Sequence, residues 1–227
     1  MTELYASPFL GLFLTIGSFV LFSMLGKKIG SPIANPILLS VAFIIFLLDI
    51  FDIPLADYNI GGDIITMMLY PVMTVLAYSI YRQKEILKQY FFTIIIGCFV
   101  GSVASMVSAV VLCRLFGLDD VLAYTMMPKS VTTPIAIELS KHLGGLPPVT
   151  IAAVIITGIM GAMFAPIAIK VFRVTNAIAA GVGIGTASHG VGTSKAIELG
   201  EVQGATSGVA MGIAGIITVF LTIVYGF

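Results

Sequence analysis

The sequence predicts an all-α polytopic membrane protein, on three observations. Its 227 residues are 59% hydrophobic and 10% charged, whereas a soluble domain carries about 25% charge. Its mean hydropathy is +1.12. Its apolar runs are continuous over about 18 residues or more, the length of a crossing helix, where barrel strands alternate over about ten. Eleven basic and eleven acidic residues cancel, so no net field favours nucleic acid.

Six stretches are long and apolar enough to span: 7–26, 33–50, 61–81, 89–114, 148–173 and 203–226, the second being short. The start, MTELYASPFLGLFLTIGSFVLFSML, lacks a basic n-region and a small-residue cleavage site, which predicts a retained first span. Pro71 is expected to kink the third. Cys98 and Cys113 share the fourth; about 22 Å apart on a straight helix at ~1.5 Å per residue, they cannot bridge each other. Gly97 and Gly101 on that span, and Gly204, Gly208 and Gly212 on the last, have the spacing of close helix packing.

Two further stretches, 119–146 and 177–202, have intermediate hydropathy and are interrupted by Gly, Pro, Ser and Thr. They repeat one another. SVTTPIAIELS (130–140) aligns without gaps to GVGTSKAIELG (190–200), matching Val131/Val191, Thr133/Thr193, Ala136/Ala196, Ile137/Ile197, Glu138/Glu198 and Leu139/Leu199. The spans that follow share TGIMG (157–161) and AGIIT (214–218) at a slightly shorter offset. The chain therefore divides, within one membrane domain (1–227), into N-terminal spans (1–118), repeat unit A (119–173) and repeat unit B (177–226).

Lys27 and Lys28, then Arg82, Lys84 and Lys88, then Lys170 and Arg173 fall in short loops that can all be cytoplasmic. On that count 119–146 leaves and returns on the outer side and 177–202 on the inner side, so the copies form an inverted pair of re-entrant segments. That arrangement builds the substrate site of many secondary transporters. Full crossings would place Lys170 and Arg173 outside and fit the charge rule less well.

In each copy a helix is expected to begin inside the polar stretch, capped by Thr133 ahead of Pro134 and by Thr193 in the second copy. Unpaired N–H groups at such starts cost several kcal/mol in hydrocarbon, so they must face protein, water or a ligand. Two converging starts favour an anion, and a carboxylate fits. The glycines of 181–192, Gly190 and Gly192 among them, permit close backbone approach. Lys129 and His189 hold analogous places just before the two helix starts; either can pair with a carboxylate, and His189 can carry a proton. The expected substrate site is thus Lys129, Ser130, Thr132, Thr133, Thr186, Ser188, His189, Gly190, Gly192 and Thr193. Glu138, Glu198 and His189 are candidates for ion coupling. For the glutamates a local ion pair competes, since Glu138 has Lys141 three residues on and Lys195 has Glu198. No GxSxG, HExxH or Cys/His metal spacing occurs, so neither enzyme, metal nor cofactor is expected.

MPKSVTTPIA (127–136), GTASHGVGTSKA (185–196), the glycine pair at 144 and 145, and the TGIMG span together resemble the LrgB/CidB family of bacterial membrane proteins, related to the plastid glycolate/glycerate translocator. The likeness covers essentially the whole chain. Ser194 and Lys195 stand where relatives often show Ala and Arg, which keeps the charge but not a bidentate guanidinium. The resemblance implies a multi-pass protein of the bacterial cell (inner) membrane and two functions. One is a carrier of small monocarboxylates such as glycolate, glycerate or pyruvate, for which the residues themselves leave coupling to protons or sodium open. The other is an antiholin-like or holin-like regulator of murein hydrolase activity and lysis, working with a small LrgA/CidA-type partner. A homo-oligomer is expected. Duplicated, broken, glycine-rich segments favour the carrier, because a simple lytic pore has no need of them.

Overall fold

The computed structural model describes residues 7–29, 36–68 and 84–224, with residues 71, 74, 75, 78, 81 and 82 between the last two stretches. These residues are helical or in turns, and no strand occurs among them. The elements are α1 (Pro8–Ile29), α2 (Pro36–Ile50), α3 (Leu55–Met67), α4 (Lys84–Gln89), α5 (Phe91–Leu115), α6 (Asp120–Met126), α7 (Thr133–His142), α8 (Pro147–Val171), α9 (Ala177–Leu199) and α10 (Glu201–Val224). Four of them, α1, α5, α8 and α10, are long and apolar enough to cross a membrane, and a shorter apolar stretch covers Leu39–Ile50. The helix expected over 61–81 starts six residues early, at Leu55; Pro71 is itself helical, but both residues before it and both after it, on which the expected kink depends, lie outside the described residues. Large apolar side chains such as Phe9, Phe13, Phe92, Phe99 and Phe164 stand exposed, as lipid-facing side chains do.

The chain forms two compact units, Met1–Val72 and Met73–Phe227. In the first, α1 and α3 cross at a glycine pair: a Cβ on Gly61 would lie 2.8 Å from the Cα of Gly11. A hydrogen bond of 2.8 Å between Thr15 Oγ1 and the Tyr58 hydroxyl secures the crossing. In the second unit, α5 packs with both interrupted segments.

The first interrupted segment, α6–α7, doubles back. Ala123 and Met127 pack against Cys113, Val110 and Met106 of α5, so α6 runs inward along α5. Residues 127–132 then turn, and α7 returns beside α6: Ser140, Thr125 and Thr150 share hydrogen bonds of 2.7–2.9 Å, and Leu143 rejoins the cluster around Ala123. Gly144, at φ +73°, ends α7 in the left-handed region that glycine adopts without penalty. Its neighbour Gly145 donates to the Ser140 carbonyl at 2.8 Å. The glycine pair thus closes the hairpin.

The second segment, α9, also doubles back. Its helical hydrogen bonding is interrupted at one residue, His189, with φ 41° and ψ −135°. On a straight helix Ile184 and Gly192 would be about 12 Å apart, yet a Cβ on Gly192 would lie 3.1 Å from Ile184 Cγ2. Ile184 and Ala196 join one cluster with Ala165 of α8. The arm before His189 runs parallel to α5, with Gly97 against Val182 and Gly101 against Thr186. The arm after it descends along α10, with Thr193 on Ser207 at 2.9 Å and Gly204 against Ile197.

The two hairpins approach α8 from opposite ends. The first turn reaches Val154, which packs with Val131; the second reaches Gly158, whose added Cβ would lie 2.7 Å from His189 Cε1. Val154 and Gly158 are one helical turn apart near the middle of α8. The expected break around Thr193 is corrected: the reversal occurs at His189, and Thr193 is a helical residue whose hydroxyl donates to the His189 carbonyl at 2.8 Å, the i−4 back-bond of mid-helix threonines.

Candidate functional site

The turn of the first hairpin places Lys129 and Ser130 against α5. Ser105 and Ser130 hydroxyls lie 2.7 Å apart, and Lys129 Nζ donates to Ser105 Oγ at 3.2 Å and to Ser130 Oγ at 3.5 Å. Among the described residues no carboxylate lies within ion-pair distance of this ammonium. Beside this cluster lies a cavity of about 10 Å³, bordered by Ser102, Ser105, Ser130, Thr186 and Thr218 along with apolar groups, which is room for one water molecule. Ser102, 4% exposed, has a buried hydroxyl with no partner. Thr132, the residue preceding α7, forms no capping bond, and its buried hydroxyl is also unpartnered. The expected cap at Thr133 is corrected accordingly: the cap position is Thr132, Thr133 is the first helical residue and Pro134 the second.

The turn of the second hairpin is held differently. His189, 4% exposed, directs its Nε2 to the Val154 carbonyl at 2.9 Å; a carbonyl only accepts, so this nitrogen carries the proton. Its ring lies over Gly158, and Ser188 fills the space beside Gly161, where any Cβ would overlap its hydroxyl. The glycines of TGIMG are therefore the seat of the second turn. Their counterpart on α10, Gly215, takes Ile135 of the first hairpin, with 2.8 Å from an added Cβ to Ile135 Cδ1. Each spanning helix of the repeat thus seats a side chain from the hairpin of the other copy at the matching glycine.

Of the residues expected at a substrate site, the structure places Ser130 and Thr186 at the cavity, with Lys129 held beside it on Ser105 and Ser130. Thr132 lies next to them in the chain. Ser188 and His189 face α8, and Thr193 faces Ser207 of α10. Gly190 has only Met211 Sδ near, 3.9 Å from an added Cβ, while an added Cβ on Gly192 would meet Ile184 and Ser188. Glu138 pairs with Lys141 at 3.0 Å and Glu198 with Lys195 at 2.7 Å, and both glutamates are exposed, the local pairing their spacing allows. Ser102, Ser105 and Thr218 were not anticipated. Ser102 and Ser105, three apart on an otherwise apolar span, share one helix face, a signal that the hydropathy of the span conceals.

Fold and site together define an α-helical membrane protein with several apolar helices and two helical hairpins whose turns pack near the middle of α8, the first beside a hydroxyl cluster and a lysine. The chain belongs to the LrgB-like family, which matches residues 15–226. Among curated relatives it is similar to Bacillus subtilis (strain 168) YwbG, 37% identical over 91% of this chain and 92% of that one. It is also similar to the antiholin-like protein LrgB of the same organism, 33% identical over 96% and 95%. A third, the antiholin-like protein LrgB of Bacillus mycoides (strain KBAB4), is 31% identical over 94% and 93%. No solved structure matches.

Proposed function

We propose that the chain is a carrier of small 2-hydroxy or 2-oxo monocarboxylates, of the size of glycolate or pyruvate, in the cell membrane. The reading takes the two hairpins as an inverted pair entering from opposite faces, with Lys170 and Arg173 cytoplasmic as positive charge favours. One observation carries it: Lys129, held on Ser105 and Ser130 at the turn of the first hairpin, has hydroxyl partners and, among the described residues, no counter-charge. A carboxylate supplies that charge, and Ser102 and Thr132 offer unused hydroxyls to it. The resting cavity is too small for a two- or three-carbon acid, so binding requires the turns to part.

A second reading rests on a different observation, the antiholin-like name carried by two of the relatives, which supports it more directly than it supports a carrier. In that reading the protein regulates lysis with an LrgA/CidA-type membrane partner, and the hairpins are an assembly surface. Proteoliposomes containing this chain alone separate the two. Uptake of labelled glycolate or pyruvate that Lys129→Gln abolishes, with insertion unchanged, supports the carrier. Absence of flux for every small acid, with a lysis phenotype that needs the partner, supports the regulator.

A further inference from the structure

Four groups near the turns can take up or release a proton during transport, and geometry removes three. Glu138 and Glu198 lie at the outer ends of their hairpins, exposed and paired with Lys141 and Lys195. His189 faces α8, with its Nε2 on the Val154 carbonyl and its ring against Gly158, away from the hydroxyl-lined cavity. Lys129 remains.

The charged and titratable groups on every surrounding element leave it without a counter-ion. α5 presents Ser102 and Ser105; its Cys98 is turned to the Ala210 carbonyl and Thr186, Cys113 joins the α6 cluster nearer the helix end, and Arg114 pairs with Asp120 of α6 at 3.1 Å. The remaining titratable groups of α6 and α7 are Tyr124, Glu138, Lys141 and His142, none of them within ion-pair distance of Lys129. α8 carries only Lys170, near its far end; α9 carries His189, Lys195 and Glu198; and α10 carries only Glu201, in its first turn. Lys129 is half-buried, and an ammonium partly removed from water without a counter-charge is destabilised. A bound monoanion removes that cost, and by reciprocity a proton on Lys129 strengthens anion binding by the same factor.

We propose that Lys129 is the proton carrier of this site: each monoanion that binds between the turns enters with one proton held on the Lys129 amine, and the two leave together. On the open side the amine lone pair takes a proton from water and forms an N–H bond. On the other side that bond breaks and the proton returns to water, so one cycle moves one anion and one proton with no net charge. The inference rests on the carrier reading and names its coupling ion.

Proteoliposomes of the full chain test it with labelled pyruvate, subtracting uptake by protein-free vesicles. An alkaline interior should drive accumulation toward about tenfold per pH unit, the equivalent of ~1.4 kcal/mol, and a membrane potential set with valinomycin and potassium should change nothing. Lys129→Arg, whose charge cannot be shed, with its folding checked by the detergent melting temperature, should lose accumulation driven by the pH difference whatever its exchange rate. Wild-type flux that follows the potential or ignores the pH difference overturns the proposal without any variant. So does accumulation by Lys129→Arg at the wild-type level. Absence of both exchange and net uptake in the wild type overturns the carrier reading itself, and the inference with it.

Discussion

Gly158→Ala probes the seat of the second turn. The added methyl carbon would stand 2.7 Å from His189 Cε1, 2.9 Å from its Nε2 and 3.1 Å from Val191 Cβ, each well inside van der Waals contact, and His189 is too enclosed to swing away. The hairpin must retreat from α8, which strains the 2.9 Å bond to the Val154 carbonyl. Overpacking of this kind costs about 1–3 kcal/mol, and losing the hydrogen bond adds ~0.5–1.5 kcal/mol. Alanine returns ~1 kcal/mol of helix propensity, leaving a net loss of about 0.5–3.5 kcal/mol. The assay is thermal unfolding in detergent of the wild type, Gly158→Ala, His189→Ala and the double variant. Removing the imidazole vacates the space the methyl needs, so the double variant should be more stable than the sum of the singles implies, with a coupling of about 1 kcal/mol or more. Additive losses, or a Gly158→Ala protein as stable as wild type, would refute the placement of His189 on this glycine.

Other outcomes follow from the same geometry. Gly144→Ala places a side chain at φ +73° and should lower stability by about 1–2 kcal/mol, read as a drop in the detergent melting temperature. Ser102→Ala removes a buried, unpartnered hydroxyl and should leave the resting protein equally or more stable, by up to ~1–3 kcal/mol, while weakening inhibition of uptake by unlabelled acid. Glu138→Gln and Glu198→Gln break exposed i,i+3 pairs and should change stability by less than ~1 kcal/mol without altering flux; loss of transport in either would restore the glutamates as coupling groups.

Much of the fold was legible because its signals are local. Gly, Pro, Ser and Thr in the middle of apolar sequence marked both interrupted segments, and the shared residues of 130–140 and 190–200 marked them as copies. Position within the break was harder. Thr193 looked like a cap by analogy with its partner in the repeat, but the chain reverses earlier, at His189, where Gly192 leaves room for Ser188 and Ile184, and the threonine hydroxyl turns inward to the helix. Lys129, Ser130 and Thr186 were readable as site residues because they sit in the polar stretches. Ser102, Ser105 and Thr218 were not, since serine and threonine satisfy themselves on their own helix often enough that one more in a span carries no weight until the facing element is known. The purpose of TGIMG shows the same limit: its glycines are conspicuous, but the His189 and Ser188 side chains they receive come from another segment.

The central claim is that two hairpins enter from opposite membrane faces and meet at mid-depth, and labelling sidedness tests it most directly. In a chain carrying Cys98→Ala and Cys113→Ala, single cysteines replace Asp120 and Lys141, at the two ends of the first hairpin, and Asn176 and Glu201, at the two ends of the second. An impermeant thiol reagent on intact cells should modify 120 and 141 from one side of the membrane and 176 and 201 only after permeabilisation, or the converse, with each pair always behaving alike. Opposite accessibility within either pair means that segment crosses completely, and would contradict the account.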